Sequence, residues 1–139
     1  MARSNPQLSK LYFPVMKVIQ RHWPSRLSST QYIMLGFINE RTLRFGKISE
    51  RLTIRQAMTG IVNQATEEVI HGGTGLKKTA IIDALKALED RGLIHQEIPL
   101  NGSPKGRLVT IDVAAVLEPA QNSDVGTTKR QIRRRRKDG

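Results

Sequence analysis

Residues 72–92 read "GGTGLKKTAIIDALKALEDRG", and their polar side chains are of the kinds that touch a polyanion. Lys77, Lys78 and Thr79 follow a glycine-rich approach, and Lys86 stands seven residues, or two helical turns, beyond Thr79. Ammonium groups and a hydroxyl at the start of a helix can hold phosphate oxygens, together with the unpaired backbone N–H groups of the first turn. Ile82 and Asp83 lie in the same outward register. There an apolar side chain can meet a thymine methyl, and a carboxylate can accept from a cytosine amino group. Each position also has a plainer reading. The lysines fit an ordinary solvated helix surface, Thr79 fits a first-turn stabiliser, Ile82 fits packing under a neighbouring loop, and Asp83 fits a partner for a nearby lysine.

Other chemistry is poorly served. The glycines lack phosphate-loop spacing, because Gly72 is followed five residues on by Lys77 with no second glycine directly before the lysine. Glu67 and Glu68 are adjacent and cannot flank a substrate as a carboxylate pair. No Ser-His-Asp grouping has a supporting spacing. Cysteine is absent, and His22, His71 and His95 are not spaced as zinc ligands. The expectation is a protein that is not an enzyme and carries no cofactor or metal.

Charge agrees with a polyanionic partner. The chain has 139 residues and a formal net charge of +11. Residues 129–139 hold seven basic residues against one acidic residue, a share of +6, and the body keeps +5. A basic body with a more basic tail favours nucleic acid. Arg133, Arg134, Arg135 and Arg136 in the tail are suited to raising non-specific affinity by counterion release, and RNA is a second partner open to them. No run of 18 apolar residues occurs, and the N-terminus has no apolar leader core, so a cytoplasmic, nucleoid-associated location is expected.

The elements that must position these residues follow from pattern. Ile81, Ala84, Leu85 and Leu88 recur at i, i+3, i+4 and i+7, and Gly92 stands where a left-handed C′ residue belongs, which predicts a helix over about Lys78 to Arg91. Upstream, Ser28 with Gln31 has capping-box spacing and opens a helix carrying Tyr32, Leu35 and Ile38, with Ile33, Met34 and Phe37 beside them. Gly36 within it suggests a close helix approach. Alternation through Ile48, Leu52 and Ile54 predicts a short strand. Thr53 with Gln56 then caps a brief helix burying Ile54 and Met58 and placing Arg55 outside, either on DNA backbone or as a surface charge.

Residues 61–74 fit either a continued helix to Ile70 or a loop ending at Gly72 and Gly73. "LIHQEIP" and "RLVTIDV" flank a turn and predict a hairpin whose tip, Asn101 to Arg107, offers Lys105 and Arg107 to phosphate or a minor groove. Trp23 and Tyr32 fit packing better than base stacking, being isolated from one another. Residues 1–26 read as a lead-in segment packing on the domain, 27–117 as the domain, and 118–139 as a disordered Arg-rich tail.

Helix, strand, helix, helix and hairpin, in that order, describe an α+β winged helix-turn-helix domain with three main helices, whose third helix enters the major groove. Over residues 12–112 the chain resembles the N-terminal origin-binding domain of bacteriophage replication protein O and related mobile-element initiators. The resemblance is carried by the "FP" near the start, "LSSTQYIMLGFINERTLRFGK", "RLTIRQ" and "GTGLKKTAIIDALKALEDRGLI". It implies double-stranded DNA as ligand and a replication initiator or accessory factor of a phage or plasmid. Many bacterial transcription regulators carry the last motif too, so transcription regulation stands beside that reading, as does a protein-docking role with a nucleic-acid-binding tail. Replication or transcription proteins are the further partners implied, and monomer and homodimer stay open. Lys77 occupies the place where such helices usually have a serine cap.

Overall fold

The fold is built around a helix that is apolar on nearly every side. In the computed structural model, which describes residues 5–100 and 106–121, the chain is α+β. The short helix α1 (Pro6–Ser9) begins at Asn5, whose Oδ1 accepts from the Gln7 N–H at 2.8 Å. Helix α2 (Tyr12–His22) tolerates Pro14 because it falls in the first turn, where backbone N–H groups have no intrahelical acceptor. It buries Tyr12, Val15 and Ile19.

Helix α3 (Ser29–Arg41) starts with the full Ser28–Gln31 capping box. It buries Met34, Leu35, Phe37, Ile38 and Asn39 and packs against α2 and a later helix, α5 (Lys78–Asp90). A 3-10 turn, Leu43–Phe45, leads to strand β1 (Ser49–Leu52). Helix α4 (Ile54–Thr59) has the second capping box, Thr53 with Gln56, but its buried residue is Ala57; Ile54 and Met58 are only half-buried. Six residues present little more than one inward position, and the small Ala57 lets the helix lie close.

Residues 61–71 depart from both sequence expectations, since they form a small antiparallel hairpin of β2 (Ile61–Val62) and β3 (Val69–His71). Its turn is made locally: Asn63 Oδ1 accepts from the N–H groups of Ala65 at 2.9 Å and Thr66 at 3.3 Å, and Glu67 takes a positive φ of 60°. After α5, strands β4 (Ile94–Glu97) and β5 (Arg107–Ile111) pair antiparallel, and β1 adds to the far side of β5. The sheet order is β1-β5-β4. Ser49 and Thr110, opposite each other in the ladder, join hydroxyls at 2.6 Å. The hairpin tip, 101–105, lies outside the described residues.

A sixth helix, α6 (residues 113–121), was not expected from the sequence and takes up residues 118–121, which the pattern placed in a disordered tail. Asp112 caps it, with Oδ1 accepting from the Ala115 N–H at 2.9 Å. Its anchor is distant in sequence: the Trp23 indole N–H donates to the Val116 carbonyl at 2.9 Å, and Val116 is fully buried. Trp23 itself is a core residue, while Tyr32 is half-buried. The core thus runs from Val15 and Ile19 through α3 to Leu85, Leu88, Val109, Ile111 and Val116.

Candidate nucleic-acid interface

Helix α5 has two opposed faces. Ile81, Ala84, Leu85 and Leu88 are buried against α3 and α4, while Lys77, Lys78, Thr79, Asp83 and Lys86 are exposed and Ile82 is half-buried at the border. The structure therefore brings these six sequence-selected residues onto one helix and its cap. None of Lys77, Lys78, Asp83 and Lys86 forms an ion pair with the described residues, so the lysine partner considered for Asp83 is not found there.

The start of α5 is left chemically open. Lys77 has the extended backbone of a cap residue, φ −77° and ψ 158°, but makes no side-chain cap hydrogen bond. Its carbonyl accepts from the Ile81 N–H at 3.0 Å. The N–H groups of the first turn stay available to an anion, at the positive end of the helix dipole and beside two ammonium groups. At the other end Gly92 has φ 79°, the left-handed value that closes a helix, and Leu93 N–H donates back to Leu88 at 3.0 Å.

What aims α5 is its lead-in. Thr74 is tied twice to the Ala57 carbonyl, through its N–H at 2.8 Å and its hydroxyl at 2.7 Å. Gly75 N–H donates to Met58 at 3.1 Å, and Leu76 N–H to the Thr74 hydroxyl at 3.2 Å. This clamp needs Gly73, at φ 86°, because a side chain there would run into the backbone of Thr59 and Gly60. Gly73 therefore serves close backbone packing against the end of α4, which carries the exposed Arg55.

The β4–β5 hairpin is braced to the same helix by residues that sequence reasoning did not select. Glu89 of α5 accepts from Gln96, at 3.1 Å from its backbone N–H and 3.1 Å from its side-chain amide, and His95 Nδ1 lies 3.3 Å away. Gln96 Oε1 in turn accepts from Arg107 Nη1 at 2.9 Å. Arg107 is consequently half-buried, with one arm of its fork committed and its pKa pushed down by burial; it stays a cation at neutral pH. The only hint in the sequence was the i, i+3, i+4 register that puts Glu89 near the edge of the apolar face. Lys105, Arg133, Arg134, Arg135 and Arg136 lie outside the described residues.

Positive charge is not confined to α5. Lys10, Lys17, Arg21 and Arg26 are exposed on and around α2, and Arg51 on β1. By contrast Arg41 and Lys47 converge on Glu50 at 3.5 and 3.3 Å, and Arg44 meets Glu40 at 2.8 Å. Those three cations are largely spent on neighbours, whereas the α5 lysines are not. Among the described residues no three His, Cys, Asp or Glu side chains converge as a metal site, and no helix is long and apolar enough to cross a membrane.

Comparisons with family models, with curated proteins and with solved structures give no match to this chain.

Proposed function

We propose that the chain is a winged helix-turn-helix protein that binds double-stranded DNA without catalysing a reaction. In this reading α3, α4 and α5 are the three main helices, β1 and the β4–β5 hairpin are the sheet and wing, and the β2–β3 hairpin is an insertion between the last two helices. The order α3-β1-α4-α5-β4-β5 and the sheet order β1-β5-β4 support it. The observation that carries it is the division of α5 into a buried aliphatic face and an exposed face whose lysines have no acidic partner among the described residues.

Lys77 and Lys78, with the open N–H groups of the first turn, hold phosphate. Thr79, Ile82, Asp83 and Lys86 face base edges in the major groove, Arg55 touches backbone beside them, and Arg107 and Lys105 meet phosphate or a minor groove. The Arg-rich tail adds sequence-independent affinity. The role in biology that the sequence resemblance favours is initiation of replication, or assistance to it, in a phage or plasmid. Transcription regulation is the second reading, favoured by the "TGL" and "LEDRGLI" segments that bound the reading helix.

Selection of bound fragments from the protein's own source DNA, at near-physiological salt, separates these roles. Enrichment of a motif repeated near a replication region supports initiation, and a single site at a promoter supports regulation. Binding without any enriched motif removes α5 as a sequence reader.

A further inference from the structure

A cleft of about 450 Å³ opens between α2, α3 and the end of the β2–β3 hairpin. Tyr12, Met16, Tyr32, Phe37 and His71 give it apolar and aromatic walls, Gly36 forms part of its floor, and Thr74 closes the side toward α5. The interface described above uses none of these residues except Thr74, and that only as a clamp. We propose that the cleft binds a small, planar, non-anionic molecule bearing an N–H donor, and that its occupancy is felt by the lead-in to α5. The binding claim is independent of the DNA-binding reading.

Three observations point to this chemistry. First, the volume lies in the range of clefts that take one small ligand, and rings in the walls favour a flat occupant. Second, Asn39 is 2% exposed, and while its Nδ2 reaches the Tyr12 carbonyl at 3.4 Å, its Oδ1 has no hydrogen-bond partner. A buried acceptor without a donor is costly; Oδ1 is itself closed to solvent, but Asn39 lines the cleft, and a turn of its side chain toward that space would let a ligand N–H satisfy it. Third, the lining contains one carboxylate and no Lys or Arg. Glu40 already accepts from the Tyr12 hydroxyl at 2.7 Å and from Arg44 at 2.8 Å, and it would repel an anion.

The polarity of His71 fits as well. Its Nδ1 accepts from the Gly73 N–H at 2.8 Å and its ring stands edge-on to Phe37 at 4.7 Å. The neutral ring must therefore carry its proton on Nε2. The same hydrogen bond links the cleft wall to the backbone that leads through Thr74 to α5. A ligand against His71 and Thr74 thus presses on the clamp that aims the helix.

Gly36 supplies a clean control. A Cβ there meets no atom within 4 Å beyond its own helix, so Gly36→Ala narrows the cleft without a clash, and the longer side chain of Gly36→Leu extends into it. The test is titration of the full-length protein with 2-aminobenzimidazole, followed through backbone and Asn side-chain amide chemical shifts, with 2-naphthoate as an anion of similar size. The expected result is saturable shifts at Gly36, the Asn39 side-chain amide, His71 and Thr74–Lys78, with Kd on the order of 1 mM as befits a fragment. Gly36→Leu should abolish the shifts, Gly36→Ala should weaken binding several-fold, and 2-naphthoate should leave these residues unmoved. Absence of saturable shifts, equal binding by Gly36→Leu, or equal binding of 2-naphthoate overturns the site. Shifts confined to α2 and α3 overturn the link to α5.

Discussion

Helices α3 and α5 are each thirteen residues long and pack against each other, yet they are built for different tasks. Helix α3 spreads its apolar residues around the cylinder, starts with a complete capping box, and has its charged residues, Glu40 and Arg41, at one end engaged with neighbours. Helix α5 concentrates its apolar residues on one side and begins at Lys77 with no side-chain cap. One helix has its N-terminal cap and its two charged side chains engaged within the protein. The other holds its cationic groups and its first-turn N–H groups open to solvent, as the proposed DNA contact requires.

The largest effects should come from the contact where the two helices are alike. Phe37→Ala in α3 should cost about 4 kcal/mol and Leu85→Ala in α5 about 3 kcal/mol, because each removes a large buried side chain from the core. Ile82→Ala, at the half-buried border of α5, should cost about 1 kcal/mol. Denaturant unfolding of the three variants checks this, and a loss at Ile82 as large as at Leu85 would erase the two-faced character assigned to α5.

The caps should respond in opposite directions. Ser28→Ala removes a working cap from α3 and should destabilise by about 1 kcal/mol, whereas Lys77→Ser supplies the missing cap to α5 and should stabilise by about 0.5 to 1 kcal/mol. The same Lys77→Ser change should weaken binding to duplex DNA. Stability gained without affinity lost would remove Lys77 from the interface.

The smallest expected effect is a pH dependence at the junction between the two helices. Burial pushes His71 below its ordinary value of 6.5, so as pH falls the unfolded chain takes the proton first. Its contribution is intact above about pH 6.5 and declines as pH drops through the lower, folded-state value. At the alkaline end Tyr12, pushed up to about 12 by burial and by its hydrogen bond to Glu40, keeps its proton after the unfolded chain has lost it. That contribution is present below its ordinary value of 10 and is lost as pH rises toward about 12. Urea midpoints measured for the wild type and His71→Gln should diverge less in acid than at neutral pH. A constant gap between them would remove the titration of His71 from the balance.

How much of this could be read beforehand depended on how local its causes are. Both capping boxes and the limits of α5 were legible because each is decided by residues three or four apart. The β2–β3 hairpin was hidden because strands of two and three residues are too short to show alternation, and a glutamate rather than a glycine takes the positive φ. Helix α6 was hidden because the residues from Glu118 onward show no apolar periodicity, while the bond that holds the helix comes from Trp23, some ninety residues earlier. Gly36 was read as a close helix contact, and it borders a cleft instead, since no atom stands where its side chain would be. The outward register of Lys78, Thr79, Asp83 and Lys86 followed directly from the apolar repeat. The brace from Glu89 through Gln96 to Arg107 did not, because it joins three elements whose spacing only the fold sets.

The most direct test of the account is the affinity of Lys78→Glu for duplex DNA at fixed, near-physiological salt, with the unfolding free energy measured on the same sample. Lys78 is exposed and makes no ion pair with the described residues, so its reversal should leave stability within about 0.5 kcal/mol. It should weaken duplex binding about tenfold or more. An unchanged affinity in a folded variant would contradict the account, because it would take the exposed face of α5 out of contact with DNA.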